Sequence, residues 1–126
     1  HKDMREPENY DVDIENLDNV FNYTNQVLNV GNFIQPALKK GIFSNVIIID
    51  SSYGFDIKVE GEYVLYIDLD IFSKDMDYIP YDFRVDKIKK LIEEAKVITI
   101  ASSPYFIEQD HAIKVLKELF NCDIIK

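Results

Sequence analysis

One cysteine, Cys122, stands in 126 residues, so no internal disulfide is possible. With no His or Asp near it at catalytic spacing, it reads as a half-buried bystander. Basic residues are few: 14 Lys and Arg face 23 Asp and Glu, a formal charge of -9 at pH 7. A nucleic-acid or anionic-membrane partner needs clustered positive charge, so neither is expected. The nearest approach to a cluster, Lys87, Lys89 and Lys90, falls in a helical pattern balanced by Glu93 and Glu94 and reads as a solvated helix face. No apolar run reaches the roughly 18 residues of a membrane span. Nor is there a signal-like leader, an internal repeat or a low-complexity tract, and the expected location is cytoplasmic. The chain opens at His1 rather than Met, which reads as a processed product or a piece of something longer.

What is present suffices for a core. With 47% apolar and 13% aromatic residues, the chain is expected to form a single α/β domain over residues 1–126, without help from disulfides or structural zinc. After a polar loop through Asp13, the residues Ile14, Leu17, Val20, Phe21, Thr24, Val27 and Leu28 recur at helical spacing. They predict a helix of about four turns capped by Asp13. Phe33, Ile34, Ala37 and Leu38 predict a short second helix with Pro36 in its first turn and Gly41 at its end. Val46-Ile47-Ile48-Ile49 reads as a buried parallel strand. Phe55 to Val59, turned by Glu60-Gly61-Glu62, reads as one arm of a hairpin whose other arm begins at Tyr63. Val85, Ile88, Leu91, Ile92 and Ala95 mark a helix, Val97 to Ala101 a strand, and Ala112 to Phe120 a final helix starting near Glu108. Alternating strands and helices predict a mainly parallel sheet covered on both faces.

Ligands gather at the carboxyl ends of strands in such sheets. Three of those ends are polar here: Asp50 with Ser51 and Ser52, Asp68 with Asp70, and Ser102 with Ser103. Tyr63 to Ser73 is the most informative stretch, an apolar run closing on Asp68-Leu69-Asp70. On a strand, residues two apart share a face, so both carboxylates are expected to point the same way and to call for a cation between them. Carboxylate oxygens suit magnesium, calcium, manganese and zinc. A dehalogenase-like phosphatase and a metal-dependent glycosyltransferase also end strands this way. Here, though, Phe72 stands where the phosphatase pattern places Thr or Val, and no nucleotide-binding βαβ region lies upstream. A plain turn-capping role for both aspartates stays open.

His1-Lys2-Asp3 supplies a second pair of ligand-type side chains two residues apart. With Asp68-Leu69-Asp70 it resembles the ureohydrolase superfamily, the arginases and agmatinases, and most closely the branch that includes peptide arginases. The resemblance is carried in order by His1-Lys2-Asp3-Met4-Arg5, Gly31-Asn32-Phe33-Ile34 with Pro36-Ala37, Tyr66 to Ser73, and Ile98 to Ile107.

This resemblance implies a three-layer arginase/deacetylase-like sandwich, present in part, and a binuclear manganese centre with His1, Asp3, Asp68 and Asp70 among its ligands. It further implies that a metal-activated hydroxide attacks a guanidino carbon, so the expected substrate is a small molecule or peptide with a basic side chain. One more Asp, two positions before His1, and a separate upstream His would complete the family's ligand set. The family's guanidinium-binding Glu falls at Ala101, with Glu108 the nearest downstream carboxylate. Glu108 and His111 are the candidate acid–base residues, and Ser102, Ser103 and Tyr78 the candidate substrate contacts. Asp75, Asp77, Tyr78 and Tyr81 form an acidic, phenolic segment just past the metal motif. Arg5 and Glu6 read as a loop ion pair. A noncatalytic metal-binding or interaction domain and a deacetylase-like amidohydrolase are the alternatives.

Overall fold

The computed structural model describes residues 4–121. His1, Asp3 and Cys122 therefore lie outside the described residues. Its internal contacts gather into two compact units that divide between Ile48 and Ile49.

The first unit holds helices α1 (Leu17–Gln26) and α2 (Ile34–Lys39). α1 begins later than the apolar spacing predicts, and its cap is Asn16 rather than Asp13. The Asn16 side chain accepts the Asn19 N–H at 3.1 Å, whereas the Asp13 carboxylate accepts from Glu15 N at 3.0 Å in a turn of its own. That local bond stops the helix from extending back to Ile14. Tyr23 is the buried residue of α1 and donates to the Asn9 carbonyl at 2.6 Å, while Leu17 and Phe21 are exposed. α2 has Pro36 in its first turn, and Gly41 follows at φ +74, as the sequence predicts. Gly31 lies close under the Arg5 side chain: a Cβ there would sit 2.7 Å from Arg5 Nη2, which would have to shift. Arg5 also donates its backbone N–H to the Gly31 carbonyl at 2.9 Å, so it is packed on Gly31, while Glu6 accepts from the Tyr10 hydroxyl.

The second unit is a small α/β assembly: α3 (Ser52–Phe55), β1 (Val64–Asp68), two 3-10 turns (Leu69–Phe72 and Lys74–Met76), α4 (Tyr81–Glu94), β2 (Val97–Ala101) and α5 (Gln109–Phe120). β1 and β2 pair in parallel, from Val64 opposite Val97 to Asp68 opposite Ala101, with α4 as the crossover. One sheet face, with Leu65, Ile67 and Ile98, packs onto a core of Phe55, Leu69, Phe72, Ile79, Val85, Ile88, Ile107, Val115 and Leu119. α4 and α5 pack against each other, each with an apolar stripe at helical spacing turned inward. Asn121 closes α5 in the left-handed region at φ 49, a place Asn tolerates.

Two expectations are corrected. Val46 to Ile49 is not a strand, and Ile47 is 44% exposed. A β-branched run favours extended backbone, but a strand also needs a neighbour to complete its hydrogen bonds, and among the described residues the sheet has only β1 and β2. The hairpin arm from Phe55 is absent as well. Ser51 caps α3, Phe55 enters the core at 2% exposure, and the Ile57 carbonyl accepts from Lys87 Nζ at 2.6 Å, so this segment is held against α4. On the other face of the sheet Val64, Tyr66 and Val97 are exposed. No helix among the described residues is long and apolar enough to cross a membrane.

This packing predicts a contrast between two leucines. Leu69→Ala, at 0% exposure, is expected to cost about 2–5 kcal/mol through lost burial and a residual cavity. Leu17→Ala, at 84% exposure, should stay within about 0.5 kcal/mol. Urea unfolding followed by circular dichroism measures both.

Candidate functional site

Both strands run toward the same edge, and β1 delivers Asp68 there as its last residue. Beyond it the chain turns at once. Asp68 accepts the Asp70 N–H at 3.4 Å and so caps the 3-10 turn from Leu69 to Phe72. Asp70 consequently sits inside that turn, and the strand rule that placed both carboxylates on one face does not apply to it. From the end of β2, Ser103 donates its hydroxyl to the same Asp68 oxygen, Oδ1. Ser103 makes this approach with φ 49, a left-handed conformation that a non-glycine residue adopts only where its surroundings impose it. Two adjacent strand ends are thus joined through one carboxylate.

The turn after β1 is gripped from both helices. Arg84 on α4 donates through Nη1 to the Ile71 carbonyl at 3.0 Å and through Nη2 to Asp77 Oδ1 at 3.1 Å. His111 on α5 places Nε2 3.0 Å from the Phe72 carbonyl oxygen. A carbonyl only accepts, so this imidazole nitrogen carries the hydrogen. The sequence reading did not single out Arg84, which is 1% exposed and among the most buried side chains of the chain. A signal existed: Arg84, Ile88 and Leu91 follow the i, i+4, i+7 spacing of an inward helix face, and an arginine on such a face is either buried and paired or misplaced.

Next to this turn lies a cleft of about 400 Å³, walled by Phe72, Tyr81 and Phe106 and edged by Asp75, Asp77, Glu108 and His111. Lys74 is the one lysine or arginine among its described lining residues. Asp77 is already paired with Arg84, so Asp75 and Glu108 against Lys74 leave a modest negative excess that favours a cationic occupant, and the aromatic walls suit a flat or apolar cation. The Tyr81 phenol is pushed up to about 12, first by burial and then by its 2.6 Å hydrogen bond to the Glu118 carboxylate.

Of the candidates from the sequence, Asp68 and Ser103 meet at the strand ends, with Asp70 one turn further on. Glu108 and His111 meet in the cleft, Glu108 as the residue before α5 and without a side-chain capping bond. Ser102 is exposed at the end of β2, and Tyr78 is 63% exposed and stands apart from the cleft lining. Ala101, where the resemblance expects a guanidinium-binding Glu, pairs with Asp68 in the sheet. The donor chemistry of Asp68 and Asp70 suits manganese or magnesium. The number of donors falls short: among the described residues no group of three or more His, Cys, Asp or Glu side chains is placed to hold a metal ion.

Because Tyr81 binds its proton more tightly in the fold than at the ordinary value of 10.0, its contribution to stability is complete below about pH 10. That contribution is lost as pH rises through about 12. In Tyr81→Phe the decline in stability between these values should be shallower than in the wild type, as read from melting temperatures across that range.

Comparison with known proteins finds no matching family model, no matching curated protein and no matching solved structure.

Proposed function

We propose that this chain carries part of a metal-dependent hydrolase of the ureohydrolase kind, acting on a guanidino group of a small molecule or peptide with a basic side chain. The observation that carries the reading is that Asp68 and Asp70 stand at the carboxyl end of a parallel strand, in a turn whose last residue, Phe72, lines an acidic, aromatic-walled cleft. Asp68 and Asp70 would hold the metal, together with His1 and Asp3, whose assignment rests on the sequence resemblance alone. When bound, a manganese pair supplies a water acidified toward neutrality as the nucleophile.

The described residues have separate tasks in this reading. Asp75 and Glu108 attract and orient the cationic group, and Phe72, Tyr81 and Phe106 offer it an aromatic surface. His111, with its Nε2 hydrogen committed to the Phe72 carbonyl, presents its other ring nitrogen as the group available to take or give a proton. Ser103 holds the Asp68 carboxylate in place. The β1–α4–β2–α5 segment would belong to a three-layer sandwich of the arginase/deacetylase type, supported by its parallel pairing and helical crossover. A cytoplasmic setting without a nucleic-acid partner belongs to the same proposal, and the net charge of -9 supports its second part.

A second reading, a noncatalytic domain, draws on one specific observation. The same Asp68 oxygen is used by both the Asp70 N–H and the Ser103 hydroxyl, as in a structural cap.

Manganese titration by calorimetry, comparing the wild type with the Asp68→Asn, Asp70→Asn double variant, separates the two. The hydrolase reading expects saturable binding that the double variant loses, and urea release from arginine-containing peptides by the metal-loaded protein. Equal binding by both proteins would make the aspartates structural. Binding without urea release from arginine or its peptides would leave a metal-binding domain without this reaction.

A further inference from the structure

The sheet pairing of β1 ends at Asp68, so the turn that follows and carries Asp70 has no ladder of its own. It is closed internally by the Ser73 N–H on the Asp70 carbonyl at 2.9 Å. Besides the Asp68 cap, it is held by side chains on the two helices. Arg84 takes the Ile71 carbonyl and His111 the Phe72 carbonyl, so two successive peptide planes are held, one from α4 and one from α5.

Arg84 is the costly member of this pair. Its guanidinium is permanently charged, lies 5.8 Å from the centroids of both the Phe72 and Tyr81 rings, and is 1% exposed. Its Nε has no hydrogen-bond partner. Among the described residues its ion-pair partner is Asp77, whose own side chain is 64% exposed at the edge of the cleft. An aliphatic side chain would fill the same place without burying a charge, and such replacements are often neutral or stabilising. What it would not do is grip a carbonyl on one side and a carboxylate on the other in a single planar orientation.

We infer that Arg84 and Asp77 are the positioning pair of the candidate site: Asp77 orients the buried guanidinium, and the guanidinium fixes the turn that presents Asp70. The site in question is the one proposed above, and the inference takes its functional meaning from that reading. Asp77 therefore acts on Asp70 through Arg84. It binds no metal itself, yet its loss is felt at the metal motif. The cleft edge and the metal motif become mechanically linked, since the carboxylate that faces solvent at one is bonded to the group that holds the other.

Asp75 provides the matched control. It lies two residues earlier and edges the same cleft, while the two hydrogen bonds of Arg84 go to Ile71 and Asp77. Asp75→Asn removes the same charge from the same segment without touching the guanidinium. Hydrogen–deuterium exchange read by mass spectrometry on Leu69 to Ser73 is the test, applied to the wild type, Asp77→Asn, Asp75→Asn and Arg84→Lys.

Asp77→Asn and Arg84→Lys are expected to speed exchange in that segment about tenfold, with α5 and β2 still protected, while Asp75→Asn leaves it at the wild-type rate. Manganese affinity, where the wild type binds, falls several-fold further in Asp77→Asn than in Asp75→Asn. Equal exchange in Asp77→Asn and Asp75→Asn would overturn the inference, because only the shared loss of charge would then matter. Manganese binding bears on the hydrolase reading separately: a wild type that binds no better than the Asp68→Asn, Asp70→Asn variant removes that reading. The exchange comparison decides the positioning role in either case.

Discussion

A permanently charged guanidinium buried beside two aromatic rings constrains how the pieces of the second unit meet. Arg84 is reachable by water hardly at all, so its charge and its donors must be met from within. The fold meets the charge and two of the donors with the Ile71 carbonyl and the Asp77 carboxylate, and leaves Nε without a partner. Once those partners are fixed, the turn after β1, the segment carrying Asp75 and Asp77, and the start of α4 have little freedom to move independently. The candidate site is assembled from those three pieces, with α5 adding His111 and Glu108. The apolar core beneath them supplies the stability, and the guanidinium supplies the arrangement.

Local signals explain which elements were legible. Val97 to Ala101 is β-branched and bounded by Lys96 on one side and Ser102-Ser103-Pro104 on the other, and it forms β2. α5 begins directly after Glu108, as its apolar spacing predicts. Pro36 and Gly41 mark the ends of α2 for reasons that lie in their own backbones. Where a partner decides the outcome, the sequence misleads. Val46 to Ile49 carries the strongest strand-like run of the chain and stays unpaired. Phe55 alternates like a strand residue, yet the Ser51 cap places it in a helix.

The same distinction applies to the site. Asp68 was legible because an apolar run ending in Asp marks a strand end. The behaviour of Asp70 was not, since the Asp68 carboxylate turns the chain before the alternation of a strand can continue. Glu108 and His111, distant from Asp75 and Asp77 in sequence, share a cleft with them because α5 packs on α4 beside the turn. Arg84 escaped notice because a charge among charges in an amphipathic helix looks solvated until its position on the stripe is checked. Read that way, a buried arginine three residues after Tyr81 marks the side of α4 that faces the candidate site.

Whether the carboxyl edge of β1 and β2 is where a divalent ion goes is open to a direct observation. Manganese is paramagnetic, and at low stoichiometry it broadens the amide resonances closest to its site. In nitrogen-15 spectra of the full chain, the account predicts that Asp68 to Ser73 and Ser102 to Ser103 broaden first, ahead of exposed acidic positions such as Glu60 and Glu62. Broadening that begins at those surface acids, or spreads evenly over all of them, would contradict it.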